Sequence, residues 1–363
     1  MQAGSSDFTF SSSAAFDTAP ASPQPLRLSF TGSGSEYFRI WIVNVLLTIV
    51  TFGIYSAWAK VRTLQYFYRN TRLDGASFDY HGKPSAILKG RAIVFGLALA
   101  FQLASNISPF LALAMLVALL AVFPLLLVRS LRFRMANSSY RGLRFAFTGG
   151  DAEAYKVFVL WPLAAVFTLG LLGPLAHQRF KQYQHSNTRF GTAPFAFTAG
   201  AGEFYGVYLR AVGVIVAVVI AGFALGNILG AVVMPGAKSR TTAVVLALAT
   251  VGFFYLGALA VSPYLMARLQ NVVWNHTTLA PHAFRSQVRA GRMIFIFVTN
   301  LVAIALTLGL FLPFARVRAA RYKVESVTML AAGPLDSFVA GEVQQVGALG
   351  DAAVDWYDID IAL

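Results

Sequence analysis

Long apolar stretches alternate with short basic ones along the whole chain. The two longest, 87–128 and 207–265, each have room for a pair of spanning helices, which need about 20 apolar residues apiece. Turns within them are expected at Asn106–Pro109 and Met234–Thr241. Three shorter stretches, 40–57, 155–176 and 293–315, carry one shared interruption: Thr51-Phe52-Gly53, Thr168-Leu169-Gly170 and Thr307-Leu308-Gly309. From Ile40 to Thr51 a helix rises only about 18 Å. These segments read either as re-entrant, turning back at Gly53, Gly170 and Gly309, or as minimal spans.

Between the apolar stretches one pattern recurs. With Asn70 as origin, Arg62 lies eight residues before, Tyr66 four before, Thr71 one after and Phe78 eight after. The same frame fits Asn137 (Arg129, Phe133, Ser138, Phe145), Asn187 (Arg179, Tyr183, Thr188, Phe195) and His276 (Arg268, Val272, Thr277, Phe284). A fifth copy at Ser326 keeps Arg318 and Tyr322 but lacks the later Phe. Positions −8, −4 and 0 share a helix face. Pro124, Pro174, Pro263 and Pro313, thirteen before the origin, suit a first helical turn. The Gly after Asn-Thr or Asn-Ser suits a helix end, and the aromatic pairs that follow (Phe78/Tyr80, Phe145/Phe147, Phe195/Phe197) alternate as a strand does. Each unit is a short basic helix, a turn and a short strand.

A second signature precedes the apolar helices. Phe30-Thr31, Phe147-Thr148 and Phe197-Thr198 stand six and five residues before Glu36, Glu153 and Glu203, each followed within two residues by a Tyr. A carboxylate at a helix start offsets the dipole, and Tyr suits a lipid–water boundary. A structural helix-start role is the main reading of the three Glu, and a proton or cation site the lesser one. The repeated Arg residues read mainly as lipid-phosphate anchors or ion pairs, with ligand binding as the lesser alternative.

The expected fold is an all-α polytopic membrane protein built from degenerate internal repeats, with short cytoplasmic helices and strands. If all five basic units face the cytoplasm, consecutive units are joined by an even number of crossings. That favours four spanning helices plus three re-entrant segments; seven spans is the alternative. Residues 1–25, rich in Ser, Ala and Pro, read as a disordered tail without the pattern of a secretory signal. Residues 26–323 form the membrane domain. Residues 324–363 hold seven of the fifteen acids and read as a segment docking on the basic cytoplasmic face. Its closing run DWYDIDIAL alternates like an added strand.

Composition agrees with a membrane setting. Of 363 residues 57% are hydrophobic and 12% charged, against roughly 25% charged in soluble domains, and the mean hydropathy is +0.63. The net charge of +14 points to anionic lipid headgroups in place of nucleic acid, because the Arg residues flank apolar segments. Cysteine is absent, which removes thiol chemistry. The five histidines form no zinc-ligand spacing, and no nucleophile elbow, P-loop or dinucleotide fingerprint is present. No enzyme, cofactor or metal is expected.

The stretches FTGSGSEYFRIWIVN, TFGIYSAWAKVRTLQYFYRNTRLDG and GALGDAAVDWYDIDIAL together resemble the bacterial inner-membrane family called domain of unknown function 898. The resemblance covers about residues 26–363 and implies a polytopic inner-membrane protein; it assigns no activity or site residue. Internal repetition with interrupted helices favours transport of a small solute or lipid near the Thr-x-Gly breaks. The alternative is a non-transporting membrane scaffold binding anionic lipid or a protein partner.

Overall fold

A computed structural model describes residues 23–233 and 240–346. Five times the chain runs through a helical hairpin, four times into a β-hairpin and the fifth time into a single strand. The first segment holds α1 (Gly34–Val50), α2 (Ser56–Arg69), β3 (Thr71–Leu73) and β4 (Ala76–Tyr80), preceded by β1 (Gln24–Arg27) and β2 (Ser29–Phe30). The second holds α3 (Pro84–Ile107), α4 (Pro109–Ala136), β5 (Ser138–Tyr140) and β6 (Leu143–Phe147). In the third, α5 (Asp151–Tyr155), a π-helical turn (Lys156–Leu160) and α6 (Trp161–Phe167) lead to α7 (Gly173–Ser186), β7 (Thr188–Phe190) and β8 (Ala193–Phe197). The fourth has α8 (Ala201–Val233), α9 (Arg240–Asn275), β9 (Thr277–Leu279) and β10 (His282–Ser286). The fifth has α10 (Ala290–Leu306), α11 (Leu312–Glu325) and β11 (Val327–Ala331).

Every basic helix ends the same way. The side chain at the origin donates back to the carbonyl four residues earlier: Asn70 to Tyr66 at 2.9 Å, Asn137 to Phe133 at 2.7 Å, Asn187 to Tyr183 at 2.9 Å and Ser326 to Tyr322 at 2.6 Å. His276 Nδ1 lies 2.8 Å from the Val272 carbonyl. This satisfies a terminal carbonyl that the helix cannot. The origin's own carbonyl then accepts an N–H from the preceding β-hairpin: Thr31 to Asn70, His81 to Asn137, Thr148 to Asn187, Thr198 to His276 and Gln287 to Ser326, at 2.8–3.0 Å.

These links make one antiparallel sheet of eleven strands in the order β1-β11-β10-β9-β8-β7-β6-β5-β4-β3-β2. Asp74-Gly75, with φ of 48° and 75°, gives the first hairpin the primed turn that matches strand twist. β1 and β2 are two halves of one strand. The first pairs β11, from Gln24 opposite Ala331 to Arg27 opposite Thr328, and the second pairs β3, Phe30 opposite Thr71. The chain from Gln24 to Phe30 thus closes a barrel-like ring and supplies the fifth hairpin's second strand.

The all-α expectation is corrected by this sheet. Alternating aromatics predict the strands, but each hairpin's edges find their partners in neighbouring segments far away in sequence, which periodicity does not reveal. The span count is corrected too. Among the described residues three helices are long and apolar enough to cross a membrane, within Pro84–Ile107, Pro109–Ala136 and Ala201–Ile228, not four or seven. The short stretches break into α1/α2, α6/α7 and α10/α11 and cannot supply further spans of that length. The expected turn at Asn106–Pro109 is a break at Ser108, whose hydroxyl caps α4. Residues 234–239 within the Met234–Thr241 turn, residues 1–22 of the tail and the closing run after 346 lie outside the described residues. Gln24 and Pro25, assigned above to the tail, belong to β1.

The barrel core is apolar. Phe78, Phe145, Phe195 and Phe284 stack in sequence around it, with centroids 6.5, 6.4 and 6.2 Å apart. Leu28 lines the same space from the closing strand.

Candidate functional site

The basic helices meet the loops after the β-hairpins around one rim of the sheet. Tyr66 donates to the Ser33 carbonyl at 2.7 Å and to Glu36 Oε2 at 3.3 Å. Tyr183 donates to the Gly150 carbonyl at 3.1 Å, and Tyr322 to the Arg289 carbonyl at 3.2 Å while accepting the Arg289 N–H at 2.9 Å. Burial pushes the Tyr66 phenol up to about 12, and the Glu36 carboxylate beside it adds to the effect. Tyr183 is likewise raised to about 12 by burial and then by Glu153. These hydroxyls are fixed donors across the ordinary pH range and lock the rim.

The arginines eight residues before the origin turn to aromatic faces. Arg62 lies over Tyr55 (5.7 Å), Arg179 over Trp161 (5.7 Å), Arg268 over Tyr264 (5.7 Å) and Arg318 over Phe295 (5.6 Å). Arg129 is exposed. A guanidinium on a ring keeps its charge while burying its flat face. The sequence frame brought Arg, Tyr and Asn onto one helix; the structure separates their roles, with Tyr and Asn as internal fasteners and Arg available at the rim.

The three helix-start carboxylates divide. The Glu36 amide is capped by Ser33 Oγ at 3.2 Å and its carboxylate takes the Tyr66 hydroxyl. Glu153 Oε2 lies 3.5 Å from Asn187 Nδ2. Glu203 is exposed at the start of α8. Two clefts open on this rim. One, of about 570 Å³, is lined by Glu36, Arg39, Arg62, Tyr66, Arg69 and Asn70. The other, of about 460 Å³, includes Ser33, Arg292, Arg318, Arg321, Tyr322 and Glu325. Cations outnumber acids in both. Among the described residues no group of three or more His, Asp or Glu side chains is placed to hold a metal.

The helix breaks share one geometry. Gly53 (φ 90°) donates to Thr48 O at 2.8 Å and Phe52 (φ 48°) to Ile49 O at 3.1 Å; Gly170 and Gly309 repeat both bonds with Leu169 and Leu308. The Thr51 hydroxyl donates to Leu47 O at 2.7 Å and accepts the Tyr55 N–H at 2.9 Å. The apolar tips Phe52, Leu169 and Leu308 are 97%, 95% and 95% exposed. This is a helix-end motif whose polar groups bond internally, as an apolar surrounding demands.

At one mouth of the barrel residues 335–346 form a helix. Glu342 is buried and accepts from the Thr192 amide (2.7 Å), the Thr192 hydroxyl (2.7 Å) and the Ala193 amide (3.0 Å). Asp336 pairs with Arg141, and Phe338 packs edge-on against His282 at 4.7 Å. The space left beneath is about 110 Å³, walled by apolar and aromatic side chains that include Leu335, Phe338 and Val339. The sequence predicts that the acidic segment 324–363 docks by charge, but not that its residues 335–346 form a helix over the barrel mouth; the Glu342 spacing carries no motif.

With this architecture in view, the chain belongs to the bacterial family of proteins of unknown function DUF898, whose model matches residues 25–356. It is similar to the inner membrane protein YjgN of Salmonella typhimurium, 31% identical over 143 residues, and of Escherichia coli K12, 33% identical over 147 residues. Each match covers 39% of this chain and 36% of the relative, so the chain spans about a third of the length of these relatives. No solved structure matches.

Proposed function

We propose that this is a multi-pass inner-membrane scaffold, built of five copies of one helical-hairpin and β-hairpin unit, that binds anionic phospholipid on a basic cytoplasmic rim and conducts nothing through its barrel. The observation that carries this reading is the barrel itself: a ladder of four Phe rings fills it, the 335–346 helix caps it, and the remaining 110 Å³ is apolar. A solute path needs polar lining. Transport of a small solute or lipid near the Thr-x-Gly breaks is the reading the sequence favours, and among the described residues the sheet offers it no polar-lined route.

The membrane setting rests on α3, α4 and α8, on the exposed apolar tips, and on the name of the relatives. The cytoplasmic side is assigned from the Arg-rich rim, and the lipid partner from Arg62, Arg129, Arg179, Arg268 and Arg318, whose charges lie beside apolar helices. The test is to purify the protein and count retained lipids by native mass spectrometry, then reconstitute it and assay flux. Anionic phospholipid lost on Arg62→Ala or Arg179→Ala, with no flux of ions or lipid, is the expected result. Flux that the protein alone produces overturns it.

A further inference from the structure

Nine residues before the turn glycine stands Asn44 in the first segment and Asn300 in the fifth. Both are buried, 4% and 7% exposed. Asn300 is satisfied: its Nδ2 donates to the Ala315 carbonyl at 3.2 Å and its Oδ1 accepts from Arg318 at 3.2 Å. Among the described residues Asn44 has no partner at either atom; Arg62, the counterpart of Arg318, lies over the Tyr55 ring. A buried amide with nothing to bond costs the chain stability. Position alone does not account for it, since the same chain solves the same position with an arginine elsewhere.

Asn44 lines a cleft of about 400 Å³. Lys60 from α2, Arg91 from α3 and Arg316 from α11 converge on it, with Ser56 and Thr48, and no carboxylate is among its lining residues. Burial lowers the affinity of Lys60 for its proton, and Arg134, Arg91 and Arg316 lower it further; these cations feel one another. Arg91 donates to Ser56 Oγ, and Arg316 to the Tyr37 hydroxyl at 3.3 Å. Three cations from three elements, with no carboxylate beside them among the described residues, around an unpartnered amide make a receptor for a compact anion with several acceptor oxygens.

We propose that this cleft binds a phosphate group, held by Lys60, Arg91 and Arg316 and oriented by the Asn44 amide. The site lies at the start of a helix long enough to span a membrane, so a phospholipid headgroup and free phosphate share the required chemistry. The inference sharpens the lipid-binding reading above and rests on it only for the source of the phosphate.

The full chain is placed in nanodiscs of phosphatidylcholine with or without phosphatidylglycerol, and bound lipid is counted by native mass spectrometry. In a second arm, inorganic phosphate is titrated into the detergent-solubilised protein and followed by phosphorus NMR. Asn44→Leu, Lys60→Gln and Arg316→Gln are each expected to weaken binding at least tenfold, and Lys60→Arg to restore it. Melting curves check folding, and Asn44→Leu should melt no lower than the parent without phosphate. Response in the lipid arm alone names a headgroup; response in both names free phosphate. If Arg62→Ala releases anionic lipid while all cleft variants bind as the parent does, the site is overturned and the broader reading stands. If no anionic lipid is held but inorganic phosphate binds through Asn44 and Lys60, the site stands and the broader reading falls. No binding in either arm overturns the site.

Discussion

The first and fifth helical hairpins share one layout. Each pairs a 17-residue helix with a 14-residue one across the same Thr-x-Gly turn, and each carries a buried Asn at one place. Only the fifth closes its polar account with its own arginine. Fourteen residues before the turn glycine the fifth has Phe295 and the first has Arg39. Phe295 gives Arg318 a ring to rest on within reach of Asn300; Arg39 offers Arg62 a like charge. The position of Arg39 and Phe295 is one difference between the two hairpins that bears on where the guanidinium lies.

The third hairpin extends the comparison and yields the largest expected effect. At the place of Lys60 and Arg316 it has His177. Burial, with Lys181 adding, pushes His177 from 6.5 down to about 4, and His185 on the same helix likewise. Between these values the unfolded chain binds protons that the folded one does not, so stability is full above pH 6.5 and falls as pH drops toward 4. The slope is of order 1 kcal/mol per pH unit for each ring. Melting temperature against pH measures it, and His177→Gln with His185→Gln should flatten the profile.

Next in size, Asn300→Leu removes a satisfied amide and leaves Ala315 and Arg318 short of a partner. A loss of about 2 kcal/mol is expected, whereas Asn44→Leu should cost nothing in phosphate-free buffer. Equal losses in chemical denaturation would erase the contrast between the two hairpins. Gly53→Ala and Gly309→Ala place a side chain in left-handed backbone and should each cost roughly 1–2 kcal/mol; unequal costs would show that the turns are not equivalent. Smallest, Arg39→Phe should place a ring where the fifth hairpin has Phe295, draw Arg62 from Tyr55 toward Asn44 and raise stability by about 0.5–1 kcal/mol. With Arg39→Phe in place, Asn44→Leu should then carry a cost, which a double-mutant cycle reads directly.

The local chemistry was legible in the chain. The Asn, His or Ser origin, the Thr after it, the Gly breaks and the strand-like aromatic pairs each do locally what their types prescribe. What the chain did not display was the edge pairing. β4 with β5, β6 with β7 and β8 with β9 meet across helical hairpins of very different length, and hydrogen-bonded edges leave no periodicity. The missing Phe after Ser326 was the visible clue: the strand it should have marked stands at the other end of the chain, with Leu28 in that place. The anion cleft was also within reach. Aligning Gly53 with Gly309 superposes Asn44 on Asn300 and Lys60 on Arg316, but only coordinates distinguish the satisfied amide from the other.

The split strand Gln24–Phe30 sets a timetable. The ribosome delivers its two pairing partners far apart in time, β3 within about fifty residues and β11 some three hundred residues after the strand itself. Throughout translation the half that pairs β11 must wait as an open edge, and an open edge invites wrong partners. That half is short and carries Pro25, which has no N–H to offer a neighbour's edge.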